Sequence, residues 1–172
     1  MEKIKATLIG GKIYSNSKQA YALNEKRKFG EKKDDKIYYT PLEALYLIND
    51  KIIEIFSKNR RLSEQEILKI FQREDKEILT KYLVFRDLRK KGYIVKTGLK
   101  FGAEFRVYEK QKIFEEKHSK WILIVQDESK KIDWKDFSSK NRVAHSTNKK
   151  LLIALVDKEG NIIYYEISWI KP

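Results

Sequence analysis

The chain offers few side chains with reactive chemistry of their own, so the search for a site is short. Its 172 residues include two histidines, His118 and His145, and no cysteine. Without cysteine, disulfides, thiolate metal sites and cysteine nucleophiles are excluded. His118 follows a charged loop and precedes an apolar run, which is where a substrate could meet it. His145 lies within a predicted helix, and we expect it to be partly buried there.

Two more polar residues lie at the ends of predicted strands. Tyr108 closes the strand before the charged loop, and Lys149 begins a strand directly after a helix. Taken singly, a tyrosine at a strand end is ordinarily a packing residue and a lysine there is ordinarily solvated. If these core elements are neighbours, however, Tyr108, His118 and Lys149 could share one edge of a sheet.

Such a trio has the chemistry for RNA cleavage without a metal ion. A base must take the proton of a 2′-hydroxyl, an acid must protonate the leaving 5′-oxygen, and a cation must stabilise the charged phosphorane. Histidine is suited to donate a proton near neutrality, and tyrosine can serve as a base when cations surround it. The products would carry 2′,3′-cyclic phosphate and 5′-hydroxyl ends. DNA lacks the 2′-hydroxyl and would not be cut.

The competing chemistry depends on a metal ion. The segment 115–117 (Glu-Glu-Lys) contains the Glu-x-Lys spacing of many Mg²⁺ nucleases, with Asp87 or Glu104 as a distant second carboxylate. In a chain with 25 acidic residues this match arises easily by chance. The sequence has no Gly-rich phosphate loop, no His-Glu-x-x-His and no serine elbow.

The charge balance favours a polyanionic partner. The chain carries 38 Lys and Arg against 25 Asp and Glu, a net charge of +13. An excess of this size favours nucleic acid or an anionic membrane surface. No apolar run approaches the ~20 residues that cross a bilayer, and the first residues lack a signal-peptide core. We therefore expect a soluble, cytoplasmic protein that binds nucleic acid and no membrane.

The first eighty residues are expected to form a small α+β domain. Capping boxes at Thr40 and Ser63 predict helices near 41–49 and 64–72. Short apolar runs predict strands at 7–9, 12–14 and 36–39, with a charged turn at 32–35. We place the domain boundary near residue 80, which gives domains 1–80 and 81–172.

The second domain has the pattern of a mixed α/β fold. A helix over 75–91, with Leu79 on its inner side, should end at Gly92. The continuous apolar runs at 121–125 and 151–156 are typical of strands covered on both faces. The remaining predicted elements are strands at 93–96, 104–108 and 162–170, a helix at 133–146 and a turn at 157–161.

These motifs resemble those of a known family. The segment 82–109 closely resembles the archaeal tRNA-splicing endonucleases, as do Lys117-His118-Ser119, the motif at 142–146 (Arg-Val-Ala-His-Ser) and the motif at 149–154. The resemblance covers essentially all of the second half and is specific in order and spacing. In the first half it is looser, and 41–48 is the best-matching stretch.

The resemblance implies a catalytic triad of Tyr108, His118 and Lys149, acting as general base, general acid and transition-state cation. Lys150 would be a bystander. It further implies a restriction-endonuclease-like C-terminal domain, activity with no metal and no cofactor, and precursor tRNA as the partner. The family cuts bulge–helix–bulge RNA, in which two three-nucleotide bulges flank a short duplex.

The resemblance also assigns RNA contacts. Arg142 matches an arginine that stacks on an extruded bulge base, a use that suits a planar guanidinium. Some members have a second stacking arginine in the last strand, where this chain has Tyr164 and Trp169. We expect Trp169 to contribute to RNA binding, although either aromatic could instead be a core or interface residue. Glu104 stands where the family commonly has Asp.

A chain this short with one complete triad resembles the homotetrameric class, a dimer of dimers. The last strand would pair across a dimer axis. Asp157 and Glu159, in the turn before it, would enter a basic cleft on a neighbouring dimer, although the turn alone would be a plain hairpin. The alternative is a non-catalytic RNA-binding or structural subunit of a mixed assembly, against which the retained triad argues.

Overall fold

The computed structural model describes residues 2–109 and 118–170. The Glu-x-Lys segment at 115–117 therefore lies outside the described residues. The chain divides into two compact units, Met1–Tyr82 and Leu83–Pro172. Within the described residues there are five α-helices and two mixed sheets, which confirms the expected α+β class. None of these helices is long and apolar enough to cross a membrane.

The first unit is built on a six-stranded sheet of order β3-β4-β2-β1-β5-β6. Its β1 and β5 pair in parallel, and the other neighbours pair antiparallel. The strands are β1 (Ile4–Ile9), β2 (Lys12–Ser15), β3 (Glu31–Lys33), β4 (Lys36–Tyr39), β5 (Ile53–Ser57) and β6 (Arg60–Arg61). The helices are α1 (Lys18–Arg27), α2 (Pro41–Asn49) and α3 (Glu64–Glu74).

Both predicted capping boxes are confirmed. The Thr40 hydroxyl accepts from the Glu43 backbone N–H at 3.2 Å, and the Glu43 carboxylate accepts from the Thr40 N–H at 3.0 Å. Ser63 and Glu66 make the same reciprocal pair. Each box satisfies two N–H groups that the first helical turn leaves without an intrahelical acceptor, which is why α2 and α3 begin where they do.

The sequence prediction for this unit missed four elements, namely α1, β3, β5 and β6. Helix α1 buries only Ala20, so it lacks the apolar stripe that marks a helix in sequence. Strands β5 and β6 were also missed. Lys32 and Lys33, expected in a turn, belong to β3, and the turn itself is Asp34 and Asp35, both with positive φ.

The second unit contains a five-stranded sheet of order β11-β10-β9-β8-β7. Among the strands described in this sheet, only β9 and β10 pair in parallel. The strands are β7 (Ile94–Thr97), β8 (Phe105–Tyr108), β9 (Trp121–Asp127), β10 (Lys150–Val156) and β11 (Ile162–Ile167). The helices are α4 (Ile78–Lys90), which crosses the division between the units, and α5 (Trp134–Ser146); Leu99–Phe101 forms a 3₁₀ turn.

Three expectations in this region were wrong in detail. Helix α4 begins at Ile78 rather than near 75, because Asp75 is the extended C-terminal cap of α3. Leu79, expected on the inner side, is 45 % exposed. The last strand ends at Ile167 rather than at 170. The predicted stop at Gly92 is confirmed, since Gly92 has φ 89° and its N–H donates to the Arg89 carbonyl.

Strand β9 is covered on both faces, as its continuous apolar run predicted. Ile122 and Leu123 point to opposite faces and are both fully buried. Ile122 packs with Ala144 of α5. Leu123 pairs with Phe105, whose ring lies 6.0 Å from that of Phe85 in α4. Helix α5 therefore covers one face of the sheet and α4 the other.

Candidate active site

The sheet register brings three strand ends to one edge. Strand β8 runs antiparallel to β9 with Val107 opposite Trp121, and β10 runs parallel to β9 with Lys150 opposite Trp121. The carboxyl end of β8 and the amino ends of β9 and β10 therefore lie side by side. Tyr108 and Lys149 are the next positions along their chains, on either side of the chain that enters β9.

Tyr108 and Lys149 also share a face of the sheet. Arg106 pairs with Ile122, which packs under α5, so Tyr108, two residues further on, lies on the α5 face. Leu151 packs in the same cluster, and Lys149, two residues earlier, lies on that face as well. Because neighbouring strands are about 4.8 Å apart, the two backbones are separated by about 10 Å.

The Lys149 ammonium is held at this edge. Its Nζ donates to the Thr147 carbonyl at 3.0 Å and lies 5.4 Å from the centroid of the Phe101 ring. Its backbone N–H donates to the Ala144 carbonyl at the end of α5. An ammonium has three N–H donors, so after the contact to Thr147 two remain for an anionic ligand. The half-buried side chain is thus positioned rather than freely solvated.

His118 enters the same edge along the chain that leads into β9. It is exposed, and Lys120, two residues later, donates its backbone N–H to the Val107 carbonyl at 3.0 Å. This bond extends the β8–β9 ladder and places Lys120 between Tyr108 and Lys149. Sequence reasoning overlooked Lys120, because its position between Tyr108 and Lys149 depends on the order of the strands in the sheet. Its ammonium pairs with Glu109 and lies over the Trp121 ring.

The two carboxylates considered for a metal site both have partners in the fold. Glu104 accepts from the Val125 backbone N–H at 3.1 Å, just beyond the last β8–β9 pair, and so extends that ladder with a side chain. Asp87 accepts from the Tyr164 hydroxyl and pairs with Lys91. Within residues 2–109 and 118–170, no three histidine, aspartate or glutamate side chains are grouped to hold a metal ion.

The carboxyl end of α5 adds a second group of exposed side chains at this edge. Helix α5 passes directly into β10, so its last turn lies beside Lys149. Arg142 is exposed in that turn. His145, expected to be partly buried, is exposed and meets Trp169 edge to face, with ring centroids 4.4 Å apart. Trp169 reaches this edge because Ile167 pairs with Leu151, and it is 62 % exposed.

Tyr164 differs from Trp169 in being tied into the fold. Its hydroxyl donates to Asp87 at 2.8 Å, and the Lys91 ammonium lies 5.2 Å from the ring centroid. Burial, together with the hydrogen bond to the Asp87 carboxylate, raises the pKa of Tyr164. Of the two aromatic residues near the end of the chain, Tyr164 is therefore a packing residue and Trp169 the one available to a ligand.

Asp157 and Glu159 lie at the opposite edge of the sheet, in the turn from β10 to β11. Asp157 accepts from the backbone and side-chain N–H groups of Asn161, both at 2.8 Å, and from the Glu159 N–H at 2.9 Å. The side-chain bond from Asn161 is the main reason that the pKa of Asp157 is lowered. Asp157 thus holds the turn together, whereas Glu159 is exposed.

Comparison with known proteins matches both parts of the chain. Residues 78–164 match the family model of the tRNA intron endonuclease catalytic C-terminal domain, and residues 4–68 match that of the tRNA intron endonuclease N-terminal domain. The chain is 40 % identical to a tRNA-splicing endonuclease of Pyrococcus abyssi, over 98 % of this chain and 97 % of that protein. It is 40 % identical to one of Methanothermobacter thermautotrophicus, over 98 % of this chain and 92 % of the relative.

A third relative, a tRNA-splicing endonuclease of Nanoarchaeum equitans, is 42 % identical over 76 % of this chain and 88 % of its own length. These relatives are archaeal, and the matches to both family models follow one another in the same order along the chain. The family suggested by the motifs around Tyr108 and Lys149 is thereby confirmed, and the chain belongs to the tRNA intron endonuclease family.

Proposed function

We propose that this protein is an endoribonuclease that removes introns from precursor tRNA by metal-independent cleavage at bulge–helix–bulge sites. The observation that carries the proposal is that Tyr108 and Lys149 lie on the same face of the sheet and at the same edge. The chain segment that contains His118 leads into β9 at this edge. The relatives named tRNA-splicing endonuclease, matched over nearly the whole chain, support the substrate class.

The proposed reaction is an internal phosphoryl transfer. Tyr108, as the general base, takes the proton of the 2′-hydroxyl, and the 2′-oxygen attacks the adjacent phosphorus. His118 gives a proton to the 5′-oxygen as its bond to phosphorus breaks. Lys149 stabilises the extra negative charge on the non-bridging oxygens. The products are a 2′,3′-cyclic phosphate and a 5′-hydroxyl, with no redox change and no water consumed.

The RNA contacts proposed outside the triad lie at the same edge. The exposed guanidinium of Arg142 would stack on a base extruded from the bulge, because RNA is read where bases are unpaired. Trp169 would offer a second stacking surface, held in place by its contact with His145. Both side chains are on the α5 side of the edge, where the substrate phosphate would meet Lys149.

We further propose that the protein assembles as a homotetramer, a dimer of dimers. Two cuts in one nearly symmetric substrate require two sites at a fixed separation, which a two-fold assembly supplies. Strand β11 ends the sheet, and its Ile163 and Tyr165 are 55 % and 48 % exposed. An edge strand with exposed apolar side chains favours pairing with another chain. Glu159 would make the contact between dimers.

The decisive experiment is cleavage of a bulge–helix–bulge RNA in excess EDTA, followed by analysis of the product ends. We expect two cuts, each leaving a 2′,3′-cyclic phosphate and a 5′-hydroxyl. Loss of cutting in EDTA with recovery in Mg²⁺ would refute the mechanism and favour the carboxylates near 115–117. No cutting under either condition would refute an autonomous enzyme and favour a subunit that needs a partner chain.

A further inference from the structure

The first unit presents one face of its sheet to solvent. Strand alternation buries Ile13 and Ile37, which are 1 % and 0 % exposed, on the side of the helices. The residues that alternate with Ile13 along β2 and with Ile37 along β4 point to the other side. We call this other side the open face and define it by five residues of β2, β3 and β4: Lys12, Tyr14, Lys33, Lys36 and Tyr38.

The register places the two tyrosines of the open face next to each other. Tyr14 pairs directly with Tyr38, and their ring centroids are 5.7 Å apart with the planes tilted by 46°. Both side chains are half-buried, so one side of the pair is accessible. Aromatic rings at the surface of a sheet provide stacking surfaces for nucleic acid bases, each worth about 1–3 kcal/mol per base.

Lysines surround this aromatic pair. The Lys36 ammonium lies 4.3 Å from the centroid of the Tyr14 ring, and Lys33 pairs with Lys36 on the adjacent strand. Lys12, two residues before Tyr14, is exposed on the same face. Among the residues of β2, β3 and β4 that point this way, Glu31 is the one acid against three lysines. The surface therefore complements a ligand that carries both negative charge and flat apolar groups.

Single-stranded RNA has this combination, and a duplex does not. In a duplex the bases are stacked on each other, so only unpaired bases are free to stack on protein rings. A protein partner of ordinary composition would meet three desolvated ammonium groups without phosphate-like charge to offset them. The tyrosines and lysines lie on three neighbouring strands, β3, β4 and β2, within a width of about 10 Å that one RNA strand can follow.

We propose that the open face binds single-stranded RNA, with bases stacked on Tyr14 and Tyr38 and phosphates paired with Lys12, Lys33 and Lys36. The inference rests on the proposed function in one respect: the natural ligand would be an unpaired segment of the same precursor RNA that the second unit cuts. The binding surface itself belongs to the first unit and contains none of the proposed catalytic residues.

The test uses the full-length protein and a fluorescent oligouridine with 2′-O-methyl groups, which cannot be cleaved through the 2′-hydroxyl. Replacing both tyrosines, Tyr14→Ala with Tyr38→Ala, should weaken binding at least about tenfold, because two stacking surfaces are lost. The corresponding double change to Phe should bind like the unaltered protein, because it keeps the rings. If the double alanine variant binds the oligouridine with unchanged affinity, the inference is wrong. The open face would then bind either nothing or another protein.

The lysine contribution is separated from general charge by a matched control. Lys36→Ala should flatten the slope of log affinity against log salt by about 0.7, the value for one phosphate contact on a single strand. Lys69→Ala removes the same charge from the exposed side of α3 and should leave affinity and slope unchanged. Equal effects of the two changes would show a non-specific charge effect and overturn the assignment.

Photo-crosslinking of the unaltered protein guards against variants that fail to fold. An oligouridine with one 4-thiouridine should crosslink to peptides of β2 and β4, and crosslinks confined to residues 83–172 would overturn the inference. Cleavage of a minimal bulged RNA without single-stranded extensions should be unchanged in the tyrosine variants. A protein that crosslinks as expected but cuts no bulged RNA would support the binding surface and refute only the proposed function.

Discussion

His118 is the exposed member of the proposed triad, whereas Tyr108 and Lys149 are half-buried. A general acid that adds little to packing can be removed without loss of the fold. We therefore expect His118→Ala to slow single-turnover cutting by roughly 10²–10⁴ while RNA affinity stays unchanged. His145→Ala is the control for the chemical step at saturating RNA, since it removes the histidine that contacts Trp169 but leaves the proposed proton donor. An equal loss of RNA affinity in His118→Ala would show a structural role instead.

Lys149 and Lys150 form a matched pair of neighbouring lysines with different surroundings. Lys149 lies on the α5 face over Phe101, and Lys150 points the other way and pairs with Glu166. Lys149→Ala should lower the cleavage rate by roughly 10²–10³, the scale for loss of a group that stabilises transition-state charge. Lys150→Ala should cut at the normal rate. Similar rate losses for both would assign the effect to overall charge and not to the triad.

Arg142 tests whether RNA is read by stacking or by charge alone. Arg142→Ala should reduce kcat/KM for bulged RNA roughly tenfold or more, the scale for one lost base-stacking surface. Arg142→Lys keeps the charge without the planar guanidinium and should recover little of that loss. Full recovery in the lysine variant, or unchanged kinetics in the alanine variant, would exclude stacking.

At the scale of elements, the bond between Tyr164 and Asp87 connects β11 to α4. Tyr164→Phe should lower the free energy of unfolding by about 1–2 kcal/mol at neutral pH, because the bond to a carboxylate is lost. The neighbouring Tyr165→Phe, on an exposed side chain, should change it little. Urea unfolding of both variants measures the difference, and equal stabilities would contradict a structural role for the bond.

The stability difference between the unaltered protein and Tyr164→Phe should change with pH in a definite direction. Burial and the bond to Asp87 raise the pKa of Tyr164 above its ordinary value near 10. The folded state therefore holds this proton more tightly than the unfolded state. The contribution of Tyr164 is complete below pH ~10 and is lost as the pH rises beyond it. The stability gap between the unaltered protein and Tyr164→Phe should accordingly narrow in alkaline solution.

Elements that depend on neighbouring residues were predictable from the sequence, and those that depend on distant ones were not. Thr40 and Ser63 make their capping bonds to residues three positions away, so the sequence contains both partners. Helix α1 has one buried residue, Ala20, and its local pattern is too weak to detect. The parallel pairing of β1 with β5 joins segments about fifty residues apart and has no local signal.

The candidate site shows the same division. The apolar runs that end near Tyr108 and begin after Lys149 marked both as strand-end residues. Their placement on one edge and one face required the order of β8, β9 and β10, which the sequence left open. Lys120 was overlooked for the same reason, because only the pairing of its backbone with Val107 places it between the other two.

At the scale of the whole molecule, the proposed tetramer can be tested through Glu159. Asp157 is a poor probe, since its bonds to Asn161 hold the turn, but Glu159 is exposed. We expect the unaltered protein to sediment as four chains and Glu159→Lys to sediment as two. Lys158→Glu, a charge reversal of opposite sign in the same turn, should leave four chains intact. A single-chain species for the unaltered protein would refute the assembly.

Strand β10 begins at the edge with Lys149 and ends at the turn with Asp157 and Glu159. Its seven residues extend over about 20 Å at ~3.3 Å per residue. The length of β10 therefore sets the distance between the proposed cleavage site at Lys149 and the proposed contact with a second dimer at Glu159. Residues can be inserted into the turn after β10 without moving Lys149. One residue inserted into β10 would instead change the distance between Lys149 and the turn and would place Lys149 on the opposite face of the sheet.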